Sequence, residues 1–170
     1  MPFYQRGDAR IHYQESGSGF PLFIIHGGGL NSTVTYAKGP FDAPGEFSKE
    51  YRCITMDLRN ANGGQSTGPL DCDDPWKMHA DDQLGLLQHL GVDKFLVMGF
   101  CIGNPMIWNL LQRAPGRIVA SVHAQPSGAD PKLPDHFIKS NTANWAPGYL
   151  ASQPGSDMAT VQRYLKRMYG

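Results

Sequence analysis

The stretch Gly99-Phe100-Cys101-Ile102-Gly103 decides the fold reading. It follows Lys94 to Met98, an almost entirely apolar run that reads as a strand, and precedes Pro105 to Gln112, a helix with proline in its first turn. A cysteine between two glycines at a strand-to-helix junction sits in a tight turn that exposes its side chain at the positive end of the helix. There the amide dipoles favour thiolate over thiol, and the amide of Ile102 can donate to the oxyanion of a tetrahedral intermediate. Gly99 and Gly103 are read as structural, because side chains there would crowd the turn or its neighbours.

Outward from this junction the chain alternates strands and helices. Arg10 to Gln14 reads as a short strand, and Pro21 to Ile25 as a continuous apolar strand running into His26-Gly27-Gly28-Gly29. Tyr51 to Asp57 is a strand with Cys53 and Thr55 on one face and Ile54 and Met56 on the other. Pro75 to Leu90 has helical spacing, with Gly91 as its stop, and Ile118 to His123 is the last strand. Apolar strands separated by helices predict an α/β fold with a mostly parallel sheet and flanking helices. Beyond Pro126 the chain is interrupted by Pro131, Pro134, Pro147 and Pro154, and only Asp157 to Tyr169 reads as helical. The expected organisation is therefore a core at 1–126 and a smaller appended segment at 127–170.

The 170 residues suit one ordinary domain. Lys+Arg 15 against Asp+Glu 15 leaves no excess charge to hold a polyanion or an anionic bilayer, so neither nucleic acid nor membrane is an expected partner. Met1 to Gln5 carries no leader pattern, which makes the cytoplasm the default. Cys53, Cys72 and Cys101 are too irregularly spaced for a disulfide scaffold or a CxxC pair, and no metal-ligand spacing is present. The glycines after His26 lack both the lysine of a P-loop and a GxGxxG pattern. They instead let the backbone approach a ligand, with the amide of Gly28 or Gly29 as a second oxyanion donor and His26 as support for the loop.

Taken together, His26-Gly27-Gly28-Gly29, Asp57-Leu58-Arg59 before Gly63-Gly64-Gln65-Ser66, the Asp81 to Gly91 helix and the Gly99 to Gly103 turn resemble the first two thirds of an α/β-hydrolase-fold protein. The resemblance runs from about Phe3 to Pro126. It implies an eight-stranded sheet, a nucleophile at the position of Cys101 where serine is usual, and a helical cap formed by the segment after Pro126. Asp57 and Arg59 then shape the turn after their strand. Cysteine at the elbow resembles the dienelactone hydrolases and some acyltransferase relatives. The family's acid and base follow later strands, so the resemblance implies a chain that stops inside the cap, before its acid, its base and its last strands. An open sheet edge near Ile118 to Val122 would then invite self-association.

The other histidines do not complete a triad in this reading. His79 and His89 are assigned to a helix surface or end, His12 to an early strand far from the elbow, and His136 to the cap. Phe100, His123 and Trp145 are the pocket candidates, with Ile102 beside them. The expected partner is a small-molecule acyl substrate, an ester, lactone or thioester attacked by Cys101, and no cofactor is required. The alternatives are a noncatalytic ligand-binding relative, and acyl transfer or carbon–carbon cleavage on the same fold. Halide or epoxide opening through an alkyl-enzyme ester would want a carboxylate where Cys101 stands.

Overall fold

The computed structural model describes residues 2–35, 41–126 and 132–170. Six strands form one sheet: β1 (Phe3–Arg6), β2 (Ala9–Ser16), β3 (Phe20–Ile25), β4 (Tyr51–Met56), β5 (Phe95–Phe100) and β6 (Ile118–Ala124), in the order β1-β2-β4-β3-β5-β6. β1, β2 and β4 pair antiparallel, whereas β4, β3, β5 and β6 pair parallel. The sheet is thus mixed and mostly parallel among the described residues.

The continuous apolar runs of the central strands follow from burial on both faces. Phe23 and Ile25 of β3 join Ile54, Met56, Phe95 and Val97 in one core. Their alternating neighbours Leu22 and Ile24 join Cys53 and Ala43 in another. α2 (Pro75–His89) and α3 (Gly103–Arg113) contribute Leu86, Leu87, Met106 and Leu110 to the first core. Ala43 belongs to the short α1 (Ala43–Phe47), which covers the second.

α2 starts and stops where its sequence signals lie. The Asp74 carboxylate accepts from the Lys77 amide, Pro75 occupies the first turn, and Gly91 leaves the helix at φ 69°. Among the described residues β6 stands at one end of the strand order, with Val119 and Val122 57% and 50% exposed on it.

The region after Pro126 corrects the sequence reading. It contains three helices, α4 (Leu133–Asn144), α5 (Ala146–Ser152) and α6 (Met158–Tyr169), where periodicity indicated only the last. Pro134 and Pro147 fall in the first turns of α4 and α5, where the missing N–H costs no helical hydrogen bond, so they start helices instead of interrupting them. Pro131 and the expected boundary at 126/127 abut or fall within 127–131, outside the described residues. Trp145, Tyr149, Tyr164, Leu165 and Met168 of this region pack with Leu30, Cys72 and Met78 into a third core.

Candidate active site

The turn from β5 to α3 is built by close approach. A Cβ on Gly99 would stand 2.7 Å from the Gly103 carbonyl and from Ile107, and one on Gly103 would stand 2.6 Å from the Ile25 carbonyl oxygen. Neither glycine needs a positive φ. Cys101 between them does adopt one, at 51°, which is strained for a residue with a side chain. Asn104 holds that conformation: its amide N–H and its side-chain Nδ2 both donate to the Cys101 carbonyl at 3.0 Å, and Nδ2 also donates to the Ala124 carbonyl at 2.9 Å. The Cys101 amide donates to the same Ala124 oxygen at 3.3 Å. This buried asparagine ties the turn to the end of β6.

The glycine loop lies against it. A Cβ on Gly27 would meet Cys101 Cβ at 3.5 Å, while Gly28 and Gly29 take φ of 103° and 60° and lead into a single 3-10 turn, Gly29–Asn31. Ser32 Oγ donates to the His26 carbonyl at 2.9 Å, fixing the loop base. Burial drives the His26 pKa down to about 4, against the upward pull of Asp42 and Asp57, so the imidazole is neutral. Its Nε2 is buried and has no hydrogen-bond partner among the described residues.

Asp57 is a hub of the turn after β4. It accepts from the Val34 amide and the Gln65 amide, each at 2.7 Å, and hydrogen-bonds His12 Nδ1 at 2.8 Å. Arg59 forks onto Asp82 of α2 at 2.6 and 3.0 Å. Both residues therefore shape the loop, as their sequence context indicated.

A cavity of about 960 Å³ opens over Cys101. Its described lining includes His26, Gly28, Gly29, Phe100, Cys101 and Ile102 from the floor, and His136, Asn141 and Tyr169 from α4 and α6. Gly99 and Gly103 lie behind the wall. Two pocket candidates are displaced. His123 is not among the described lining residues: next to the end of β6, its ring is tilted against Trp108 with centroids 5.8 Å apart, and its Nε2 lies 3.2 Å from Ser121 Oγ. Trp145 is 1% exposed, donates from Nε1 to the Asn60 carbonyl at 2.9 Å, and stacks between Tyr149 and Tyr164. Its indole fills the core shared by α5 and α6 because its one donor finds a buried acceptor there.

His79 is likewise corrected from helix surface to interior. It is buried, with Nε2 2.8 Å from the Tyr164 hydroxyl, and burial together with the Arg59 charge lowers its pKa to about 3. Sequence reasoning missed Gly27, Asn104, Asn141 and Tyr169. Only Gly27 carried a signal, as part of the glycine run; the others depend on long-range packing. Among the described residues no cluster of three or more His, Cys, Asp or Glu is placed to hold a metal, and no helix is long and apolar enough to cross a membrane.

The family profile described as "alpha/beta hydrolase fold" matches residues 21–160. Bifunctional epoxide hydrolase 2 of Sus scrofa is 23% identical over 164 residues, covering 94% of this chain and 28% of that protein. The 2-hydroxymuconate semialdehyde hydrolase of Pseudomonas sp. (strain CF600) is 32% identical over 112 residues, or 64% of this chain and 37% of that one. The crystal structure of the enol-lactonase from Burkholderia xenovorans LB400 superposes with a TM-score of 0.68 at 14% identity, covering 99% of this chain and 74% of that one. The chain thus spans between 28% and 37% of the length of these two curated relatives.

Proposed function

This chain belongs to the alpha/beta hydrolase fold family, and we propose that within it Cys101 is the nucleophile for a small ester, lactone or thioester. The observation that carries the reading is the position of Cys101: strained at φ 51°, at the strand-to-helix junction, in the floor of a 960 Å³ cavity and in contact range of the glycine loop. Strain held by Asn104 directs the thiol to the cavity instead of letting the turn relax.

In this mechanism Cys101 Sγ attacks the acyl carbonyl carbon. The amides of Ile102 and of Gly28 or Gly29 receive the oxyanion, and Gly99 and Gly103 keep the turn tight enough for that convergence. Collapse breaks the bond from carbonyl carbon to leaving oxygen or sulfur, and the leaving group departs with the proton originally on the thiol. An acyl-thioester remains on Cys101 for water to hydrolyse. His26 supports the loop and is a weak base, its proton affinity being low. Phe100 and Ile102 wall the acyl side. The segment 127–170 acts as the cap, and the lactone substrate class is in keeping with the enol-lactonase likeness.

No side chain of the described residues hydrogen-bonds Cys101 Sγ, and this favours a second reading, a ligand-binding relative that acylates once or not at all. Intact-mass analysis after exposure to p-nitrophenyl acetate separates the two. The catalytic reading expects an acetyl adduct located on Cys101 with matching p-nitrophenol release, absent in Cys101→Ala. A folded sample that gives neither adduct nor release removes Cys101 as a nucleophile and leaves the binding reading.

A further inference from the structure

The chemistry above uses the floor of the cavity and leaves its roof unassigned. Tyr169, the last residue of α6, lines the same cavity as Cys101, and its ring is held by stacking on Phe137 at 5.4 Å and 28°. Its hydroxyl is buried beside the Asn141 side chain, which interacts with it, and meets no partner in full hydrogen-bond geometry among the described residues. A buried hydroxyl in that state is a donor waiting for a ligand acceptor. Burial raises its pKa above the usual phenol range, against a smaller downward pull from the Asn141 side chain and with the nearby Cys101 adding to the rise, so it stays protonated. Beside it, Asn141 Nδ2 is engaged by the Phe137 carbonyl at 2.8 Å, and Oδ1 reaches to within 3.7 Å of where a Gly29 Cβ would stand. Asn141 thereby brings a polar group from the roof down to the glycine loop.

The rest of the wall sharpens this. Its described polar side chains are amides, hydroxyls and imidazoles, and none of the described lining residues is Lys, Arg, Asp or Glu. An anionic substituent entering such a cavity loses water without gaining a counter-charge, whereas a neutral carbonyl or ether oxygen exchanges one hydrogen bond for another.

We propose that Tyr169 and Asn141 form a neutral hydrogen-bonding subsite on the cap side, selecting uncharged, oxygen-bearing substrates over those carrying a carboxylate. This deepens the reading that the cavity over Cys101 is the substrate site and rests on it.

The test uses two reagents of nearly equal size on the full chain: iodoacetamide, whose carbonyl is neutral, and iodoacetate. Each forms a bond from Cys101 Sγ to carbon while iodide leaves and the thiol proton goes to water. Peptide mass spectrometry reads the rate at Cys101 apart from buried Cys53 and Cys72, and each rate is divided by that for glutathione. The expected result is a normalised preference for iodoacetamide of about fivefold or more, with the iodoacetamide rate at Cys101 falling severalfold in Tyr169→Phe at unchanged thermal unfolding. No preference in the natural chain, or an iodoacetamide rate that is unchanged in Tyr169→Phe, overturns the subsite. Should that variant misfold, Tyr169→Met reads the same comparison. Alkylation requires only an accessible thiol, so a preference without any ester adduct overturns the nucleophile reading alone, and an adduct without a preference overturns the subsite alone.

Discussion

The floor and the roof of the cavity are held by contacts of very different reach along the chain. At the floor, the conformation of Cys101 is set by Asn104 three residues away and by the closeness of Gly99 and Gly103, four residues apart, and the finished turn is then seated against Ala124 and Ile25. At the roof, Trp145 is anchored to Asn60 and Tyr164 to His79, each across 85 residues. A local turn forms from steric exclusion among neighbours, whereas the roof exists only when α4, α5 and α6 bury a shared core against Leu30, Cys72 and Met78. The floor should therefore be brittle to added volume and the roof to lost volume.

The largest effect is expected at the roof. Trp145→Ala empties a fully buried indole site and orphans the Asn60 carbonyl, costing ~4 kcal/mol in urea unfolding. Hydrogen exchange should show the loss concentrated in α4 to α6; an equal loss of protection in β3 and β5 would refute the separation. At the floor, Gly103→Ala forces a methyl to 2.6 Å from the Ile25 carbonyl and should cost ~3 kcal/mol. It should also slow alkylation at Cys101, which Trp145→Ala affects less.

A smaller effect comes from acid. His79 under the roof and His26 in the floor loop are both buried and neutral, with folded values of about 3 and about 4 below the ordinary 6.5. Above pH 6.5 neither state carries the proton. Below it the unfolded chain takes a proton that the folded chain refuses, so stability falls as pH drops from 6.5 toward those folded values. Between pH 7.5 and 5 the loss from His79 should be about 2 kcal/mol, at ~1.4 kcal/mol per pH unit below 6.5. Urea midpoints of His79→Gln at the two pH values check this: a slope as steep as in the natural chain would mean that the burial of His79 does not act. His26→Gln should flatten the profile by nearly as much over this window, because its folded value of about 4 also lies below pH 5; the two residues part only in stronger acid.

The same division of reach governs what could be read beforehand. The central strands were legible because β3 is buried on both faces and β5 is buried on one and half-buried on the other, leaving apolar runs in both. α2 was legible because Asp74, Pro75 and Gly91 mark its ends locally. α4 and α5 were not, since their prolines read as breaks until the first-turn positions are known, and α5 is only seven residues long. His123, taken from its strand, and Trp145, taken from the segment after Pro126, were misread as pocket residues because an element's place in the fold says nothing of which side of it a side chain takes. Asn104 and Tyr169 carried no sequence signal at all.

By itself, the order of residues determined the alternation of strands and helices, the tight turn at Cys101 and the glycine loop after β3. Each of these follows from sterics and burial periodicity within a few residues. Only the tertiary structure decided that Asn104 locks the turn to β6, that Trp145 belongs to the core shared by α5 and α6, and that Tyr169 faces the cavity of Cys101. Those outcomes depend on which distant surfaces exclude water together, and no local pattern encodes that choice.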